Sequence, residues 1–221
     1  MHGGVARDQL ETEDVAAVQR GLENLGRHMR NTSQRGVPQV VAINHFTADT
    51  QAEIDAVTSY VEERGARAYV CRHWAEGGAG AEELARVVAE LADSGQARFQ
   101  PLYPDDMNLW DKARAVAREV YGADDIDADK KIRDQFEQFE RDGYGHFPVC
   151  MAKTQYSFST DPALLGEPST HRVKSRELAL AAGEEFLVVI CGDIMRMPGL
   201  PRKPAANNIF VNQQGQIEGL F

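Results

Sequence analysis

The sequence predicts an α/β fold, with a layered first part followed by a small α+β unit. In the first part, short apolar β-branched runs alternate with amphipathic repeats of helical period, which is the βαβ order of a parallel sheet with crossover helices. After Gly143 the pattern changes to short apolar runs separated by prolines. We place a boundary between Tyr121 and Gly145 and expect two units, residues 1–125 and 126–221.

The elements of the first unit follow from apolar periodicity. A helix is predicted over Thr12–Asn31, with Thr12 as its N-cap and Gly36 as its stop. The continuous run Gln39–Ile43 is typical of a strand that is buried on both faces of a parallel sheet. Three further elements are a helix, a strand and a helix, predicted over Thr50–Arg64, Ala66–Cys71 and Ala81–Ala92.

The rest of the chain predicts two more helices and a set of short strands. The turn at 122–125 joins the two helices, and the residues Asn212–Gly215 form the turn of a hairpin. The helices are Asp105–Tyr121 and Asp127–Arg141, and the strands are Phe147–Ala152, Phe186–Cys191, Ile209–Val211 and Gln216–Leu220.

Composition limits the partners. The 221 residues carry 24 Lys and Arg against 34 Asp and Glu, a formal net charge of −10. This balance argues against a general binder of nucleic-acid backbones or of anionic membranes. The first residues contain no apolar signal region, and the run Phe186–Cys191 is too short to span a bilayer. Three scattered cysteines indicate reduced thiols, so we expect a cytoplasmic protein.

Two predicted strands end in residues suited to ligand binding. Asn44, His45 and Phe46 follow the first strand, and Trp74 follows the second. In open α/β sheets, ligands bind beyond the carboxyl ends of the strands. Two aromatic rings at one edge can sandwich a planar heterocycle, at about 1–3 kcal/mol per ring by analogy with base stacking. The alternative is that both rings merely cover the sheet edge.

Other polar segments give weaker signals. Gly77, Gly78 and Gly80 precede a helix and could bring backbone close to an anion, or could form an ordinary turn. Cys71 and His73 lack the further ligands of a metal cluster, so no metal site is assigned. The loops Lys153–Tyr156 and Arg196–Gly199 could bind a carboxylate or a phosphate, or could be plain surface loops.

Several blocks of the sequence resemble the formate–tetrahydrofolate ligase family, also called 10-formyltetrahydrofolate synthetase. They are GVPQVVAINHFTADT, CRHWAEGGAGAEELA, LYPDDMNLWDKARAVAREVYGAD, PVCMAKTQYSFSTDP, GDIMRMPGLPRKPAAN and GQIEGLF, and they cover essentially the whole chain. Members are considerably longer. The resemblance therefore implies the C-terminal part of a P-loop-NTPase-like α/β layer domain followed by the small α+β domain. We expect the chain to begin inside the family's His-Gly-Gly signature and to lack the half that carries the GEGKST loop.

The resemblance also implies a reaction and a set of binding residues. ATP, formate and tetrahydrofolate would give 10-formyltetrahydrofolate, ADP and phosphate through formyl phosphate. Phe46 and Trp74 match the two aromatic residues that hold the pterin. His45 stands where the family commonly has Arg. The residues that match the nucleotide-binding positions are Asn44, Ala75, Gly77 and Gly78. No catalytic residue and no metal ligand is assigned in this chain.

The implied cofactors are ATP with Mg²⁺ and an activating monovalent cation, and the implied partners are the missing N-terminal half and further copies in a homotetramer. We expect the chain alone to be inactive. A non-catalytic module that binds a pterin or a nucleotide, or that assembles with a partner, is the alternative from another class. A GTPase-like regulator fits less well, because Thr47 stands where a guanine-reading Asp is needed.

Overall fold

A computed structural model describes residues 2–194 and 201–220, and its first part is built on a pair of parallel strands. Helix α1 spans Val15–Ser33, strand β1 Val40–Asn44, helix α2 Gln51–Glu62 and strand β2 Arg67–Cys71. The register runs from Val40 opposite Arg67 to Asn44 opposite Cys71. Helix α2 is the crossover between the strands, as the βαβ pattern predicted.

The two long helices begin at side-chain caps that also link them. The backbone N–H of Ala17 donates to Asp14 Oδ1 at 2.8 Å, so Asp14 is the N-cap of α1, and the prediction of Thr12 is wrong by two residues. Thr50 and Glu53 form a capping box on α2. The other Glu53 oxygen accepts from the backbone N–H of Asp14 at 2.9 Å, which ties the two helix starts together.

Gly36 ends the connection after α1 for a geometric reason. Its φ is +68°, and a Cβ there would lie 2.1 Å from the carbonyl oxygen of Arg98. The backbone N–H of Arg98 donates to the carbonyl of Gly36 at 2.7 Å. Only glycine allows both the left-handed turn and this close approach.

Strand β1 is less buried than its apolar sequence predicts. Its residues are half-buried or exposed, and β2 is its neighbour in the sheet. The chain alone therefore does not bury both faces of this strand, and burial on both faces stays a prediction for a longer protein in which further strands complete the sheet. Two short helices follow β2 in sequence, α3 at His73–Glu76 and α4 at Glu82–Asp93, with a 3₁₀ turn at Gly77–Ala81 between them.

The second sheet has four strands and holds the main hydrophobic core. Its order is β3-β5-β6-β4, with β3 parallel to β5, β5 antiparallel to β6, and β6 parallel to β4. The strands and the helices near them are α5 (Leu109–Ala115), β3 (Asp125–Asp127), α6 (Lys130–Phe139), β4 (Val149–Ala152), β5 (Arg172–Ala181) and β6 (Phe186–Cys191). Both helices end in a π-helical turn, at Val116–Val120 and Glu140–Tyr144.

The hydrophobic core on this sheet contains residues from before and after position 125, the predicted boundary between the two units. Leu109 and Ala113 of α5 are fully buried together with Val173 of β5 and Leu187 of β6. The division of the chain into 1–125 and 126–221 stays a prediction. The mixed α/β class is confirmed, while the P-loop-like layering of the first unit stays a prediction as well.

Two strands were missed by the sequence patterns. Strand β5 alternates exposed Arg172, Lys174 and Arg176 with buried Val173 and Ser175, so its apolar signal is diluted by charge. Strand β3 is an edge strand of three residues where a turn and a helix start were predicted. Its first residue, an aspartate, pairs with three arginines: Arg114, Arg118 and Arg172.

The chain closes with the predicted hairpin. Strands β7 (Phe210–Val211) and β8 (Ile217–Glu218) pair antiparallel around a turn in which Gly215 donates its N–H to the Asn212 carbonyl at 3.0 Å. Cys71, Cys150 and Cys191 are free, as predicted. Among the described residues, no helix has the length and apolar character needed to cross a membrane.

Candidate functional site

The candidate site lies where β1 and β2 end side by side. Asn44 stands opposite Cys71 in the parallel register, and the next N–H, that of His45, donates to the Cys71 carbonyl at 3.0 Å. Because the strands are parallel, the segments that follow them leave from the same edge of the sheet. The structure therefore brings together the two segments predicted from sequence.

Phe46 sits at the start of a tight turn after β1. Its N–H donates to Asp49 Oδ2 at 2.8 Å, and the N–H of Asp49 donates back to the Phe46 carbonyl at 3.1 Å. This reciprocal pair fixes the turn and leaves the Phe46 ring 62% exposed. Sequence reasoning did not single out Asp49, because its side chain bonds backward to the N–H three residues before it, whereas the common Asx turn bonds forward along the chain.

Trp74 joins the two segments. It lies in α3, and its indole N–H donates to the His45 carbonyl at 2.9 Å. The ring nevertheless stays 61% exposed. Both aromatic side chains are therefore open to solvent in this chain. Ligand stacking and the edge-covering alternative both stay predictions.

The glycines after Trp74 divide into two kinds. A Cβ on Gly80 would lie 2.5 Å from the carbonyl carbon of Arg72, and the Arg72 N–H donates to the Gly80 carbonyl at 2.9 Å, so Gly80 closes the loop. Gly77 has a φ of +62°, and no atom lies within 4 Å of the Cβ position at Gly77 or Gly78. The backbone of these two residues is exposed to solvent, and the lack of side chains would let a ligand come close to it.

Asn44 and Ala75 complete the set of predicted nucleotide-side residues. Asn44 is the exposed last residue of β1. Ala75 is exposed in α3, and its N–H donates to the Arg72 carbonyl at 3.0 Å. All six predicted site residues thus lie at the end of β1 or on the two segments that follow β1 and β2. No ligand contact is implied by that placement alone, so their binding roles stay predictions.

Within the described ranges, no group of three or more His, Cys, Asp or Glu residues could hold a metal ion. The loop Lys153–Tyr156, in contrast, borders two clefts, of about 860 Å³ and 340 Å³. The loop Arg196–Gly199, singled out with it, lies outside the described residues. Sequence reasoning noted the Lys153 loop but not the histidines that share its smaller cleft.

Comparison with known proteins gives one consistent result. Residues 1–221 match the family model described as formate–tetrahydrofolate ligase. Proteins of that name from Rhizobium rhizogenes, Roseobacter denitrificans and Sinorhizobium medicae are 59%, 56% and 55% identical over all 221 residues. The chain spans 40%, 40% and 39% of their lengths.

Proposed function

The chain belongs to the formate–tetrahydrofolate ligase family, and from that premise we propose that it supplies the folate and adenine side of a site that makes 10-formyltetrahydrofolate from ATP, formate and tetrahydrofolate. The observation that carries the proposal is the pair of exposed rings, Phe46 and Trp74, held at one sheet edge by the indole hydrogen bond to His45. The expected cytoplasmic location and homo-oligomeric state belong to the same proposal.

Phe46 and Trp74 hold the pterin ring in this proposal. A pterin is flat and aromatic, so it gains stacking energy on both faces between two rings. The Phe46 turn is closed by the bond to Asp49, the Trp74 indole is bonded to His45, and both side chains remain exposed. Because these rings orient a substrate and form no bond with it, they accelerate the reaction by proximity.

Asn44, Ala75, Gly77 and Gly78 line the nucleotide side. The absence of side chains at the two glycines leaves room for the nucleotide to pack on backbone. ATP would arrive with Mg²⁺, and a monovalent cation would support the activity. No ligand for either ion is assigned in this chain.

The phosphoryl-transfer step needs charge that these residues do not provide. In the proposed reaction, formate attacks the γ-phosphate of ATP to give formyl phosphate, and N10 of the folate then attacks the formyl carbonyl and releases phosphate. Stabilising the first transition state takes Lys, Arg, Mg²⁺ and loop N–H groups around the phosphates. The curated relatives are longer by more than half of their length, and we assign the phosphate-binding groups to that remainder.

Fluorescence tests the folate assignment directly. The chain has two tryptophans, and Trp110 is the internal control because it packs edge-on against Phe136 at 5.3 Å on α5. We expect tetrahydrofolate to quench Trp74 emission, and Phe46→Ala or Trp74→Ala to weaken binding by about 1–3 kcal/mol. A Trp74→Phe variant that keeps the whole ligand-dependent signal would contradict the assignment. Binding of ATP without folate would favour the alternative, a nucleotide-binding module.

A further inference from the structure

A second cleft, of about 340 Å³, lies between helix α1 and the loop that follows β4. It shares no residue with the sheet edge that carries Phe46 and Trp74, and the inference drawn from it does not depend on the proposed function. The side chains that matter here are His2, His28, Lys153 and Gln155.

Lys153 provides the cleft with one positive charge. Its Nζ donates to the carbonyls of Thr154 (3.1 Å) and Ser157, and it lies 4.7 Å from the centre of the Tyr121 ring. Burial lowers the pKa of this ammonium group. An ammonium has three N–H donors. Two are used within the loop, and no third hydrogen-bond acceptor for this nitrogen lies among the residues that the structure describes.

Two imidazoles share the cleft with this lysine. The segment before α1 packs so closely that a Cβ on Gly3 would lie 2.0 Å from the Ala17 carbonyl oxygen, which brings His2 onto the helix. The Nδ1 atom of His2 accepts from the Gly166 N–H at 3.2 Å. Nδ1 therefore carries no proton, and in the neutral ring Nε2 is a donor.

His28 stands on α1 with its ring centre 4.7 Å from that of Phe158. Neither ring nitrogen of His28 has a hydrogen-bond partner among the residues that the structure describes. Its pKa is lowered by partial burial, and further by repulsion from His2 and Lys153. His28 thus lies near enough to Lys153 and His2 for both to oppose its protonation.

The lining of this cleft has no carboxylate among the described residues, although the chain has a net charge of −10. Tyr121 is the remaining titratable side chain in the lining, and burial raises its pKa, so it stays neutral. A bound anion would relieve the repulsion that Lys153 and His2 exert on His28. The donors come from three separate segments, before α1, on α1 and after β4, and all of them line this one cleft.

We propose that this cleft binds a phosphate group, either as inorganic phosphate or as the terminal group of an organic phosphate. Lys153, His2, His28 and the exposed amide of Gln155 offer donors around the space. A tetrahedral oxyanion can accept hydrogen bonds from several separate donors, whereas a planar carboxylate is best matched by a bidentate guanidinium.

The test is a titration of the full 221-residue chain with inorganic phosphate, read from the ¹⁵N signals of its histidine rings. The chain has six histidines, which makes the readout specific to position. We expect the His2 and His28 signals to move together, with a Kd on the order of 1 mM, and the signal of exposed His146 to stay fixed. A second titration with glycerol 3-phosphate separates the two sources: tighter binding than inorganic phosphate indicates an organic ligand, and equal binding indicates the free ion.

His28→Gln and Gln155→Leu alter exposed positions and should leave the fold intact. Each is expected to weaken phosphate binding about fivefold or more. Lys174→Met is the matched control, because this exposed lysine lines the larger cleft, and its loss should change nothing. The proposal is overturned if His2 and His28 do not respond to phosphate, or if Lys174→Met abolishes binding while His28→Gln preserves it.

Discussion

Phe46 and Trp74 illustrate what a single sequence reveals about individual residues. Both follow apolar strands, and the parallel arrangement alone places them at one edge, so their proximity could be predicted. What fixes them could not, because the Trp74–His45 bond spans 29 positions and involves a backbone carbonyl. Lys112 was missed altogether, since a lysine in a mixed helical repeat normally indicates a solvated face.

Lys112 is fully buried in α5 and holds three chain segments together. Its Nζ donates to the carbonyls of Asp105 (2.7 Å), Gly145 (2.8 Å) and Phe147 (3.0 Å). Burial lowers the pKa of the ammonium, and the nearby carboxylates Asp105, Glu140 and Asp106 oppose that shift.

We expect Lys112→Met to lower the free energy of unfolding by about 3–5 kcal/mol, because it leaves buried acceptors without their donor. Urea denaturation followed by circular dichroism measures this change. Lys130→Met is the control: that lysine pairs with Asp134 at 2.8 Å on the exposed face of α6 and should cost little. Equal losses in the two variants would refute a specific role for Lys112.

At the scale of elements, strands were predicted where apolar residues run together and missed where charge interrupts them. Phe186–Cys191 was predicted with its observed bounds, because the run is continuous and mostly buried. Strand β5 was missed, because one of its faces carries Arg172, Lys174 and Arg176 and only pairing with β6 reveals it as a strand. Helix starts depend on which of several capping residues is used, as α1 shows.

The cap of α1 gives a test at this scale. Thr12 and Asp14 are both good capping residues, but only Asp14 accepts the Ala17 N–H. We expect Asp14→Ala to destabilise the chain by about 1 kcal/mol, because one N–H at the helix start loses its partner. Thr12→Ala should stay within about 0.5 kcal/mol of the parent. Thermal melts of both variants decide between them, and a larger loss for Thr12→Ala would overturn the assignment.

At the scale of the molecule, sequence patterns predict the mixed α/β class but not how the strands divide between sheets. The order β3-β5-β6-β4 depends on pairings between residues far apart in the chain, such as Asp125 with Arg172, which carry no local signal. The match over residues 1–221 shows the family, yet the chain spans only 40% of the Rhizobium rhizogenes relative. The active molecule is therefore expected to need more than this chain.

Catalysis tests that expectation. We expect the 221-residue chain alone to form no measurable 10-formyltetrahydrofolate from ATP, formate and tetrahydrofolate, because the described residues at the sheet edge are proposed to hold a ring and offer no clamp for the β- and γ-phosphates. Adding a separately expressed N-terminal portion of a relative should restore turnover if the two parts dock, and Trp74→Ala should lower the restored rate about tenfold or more through lost folate stacking.

A coupled assay for the folate product measures both steps, with Trp110→Phe as the matched control because that ring packs on Phe136 away from the edge. Robust synthesis by the chain alone would mean that its own residues bind the transferring phosphate, and the division of labour proposed here would be wrong.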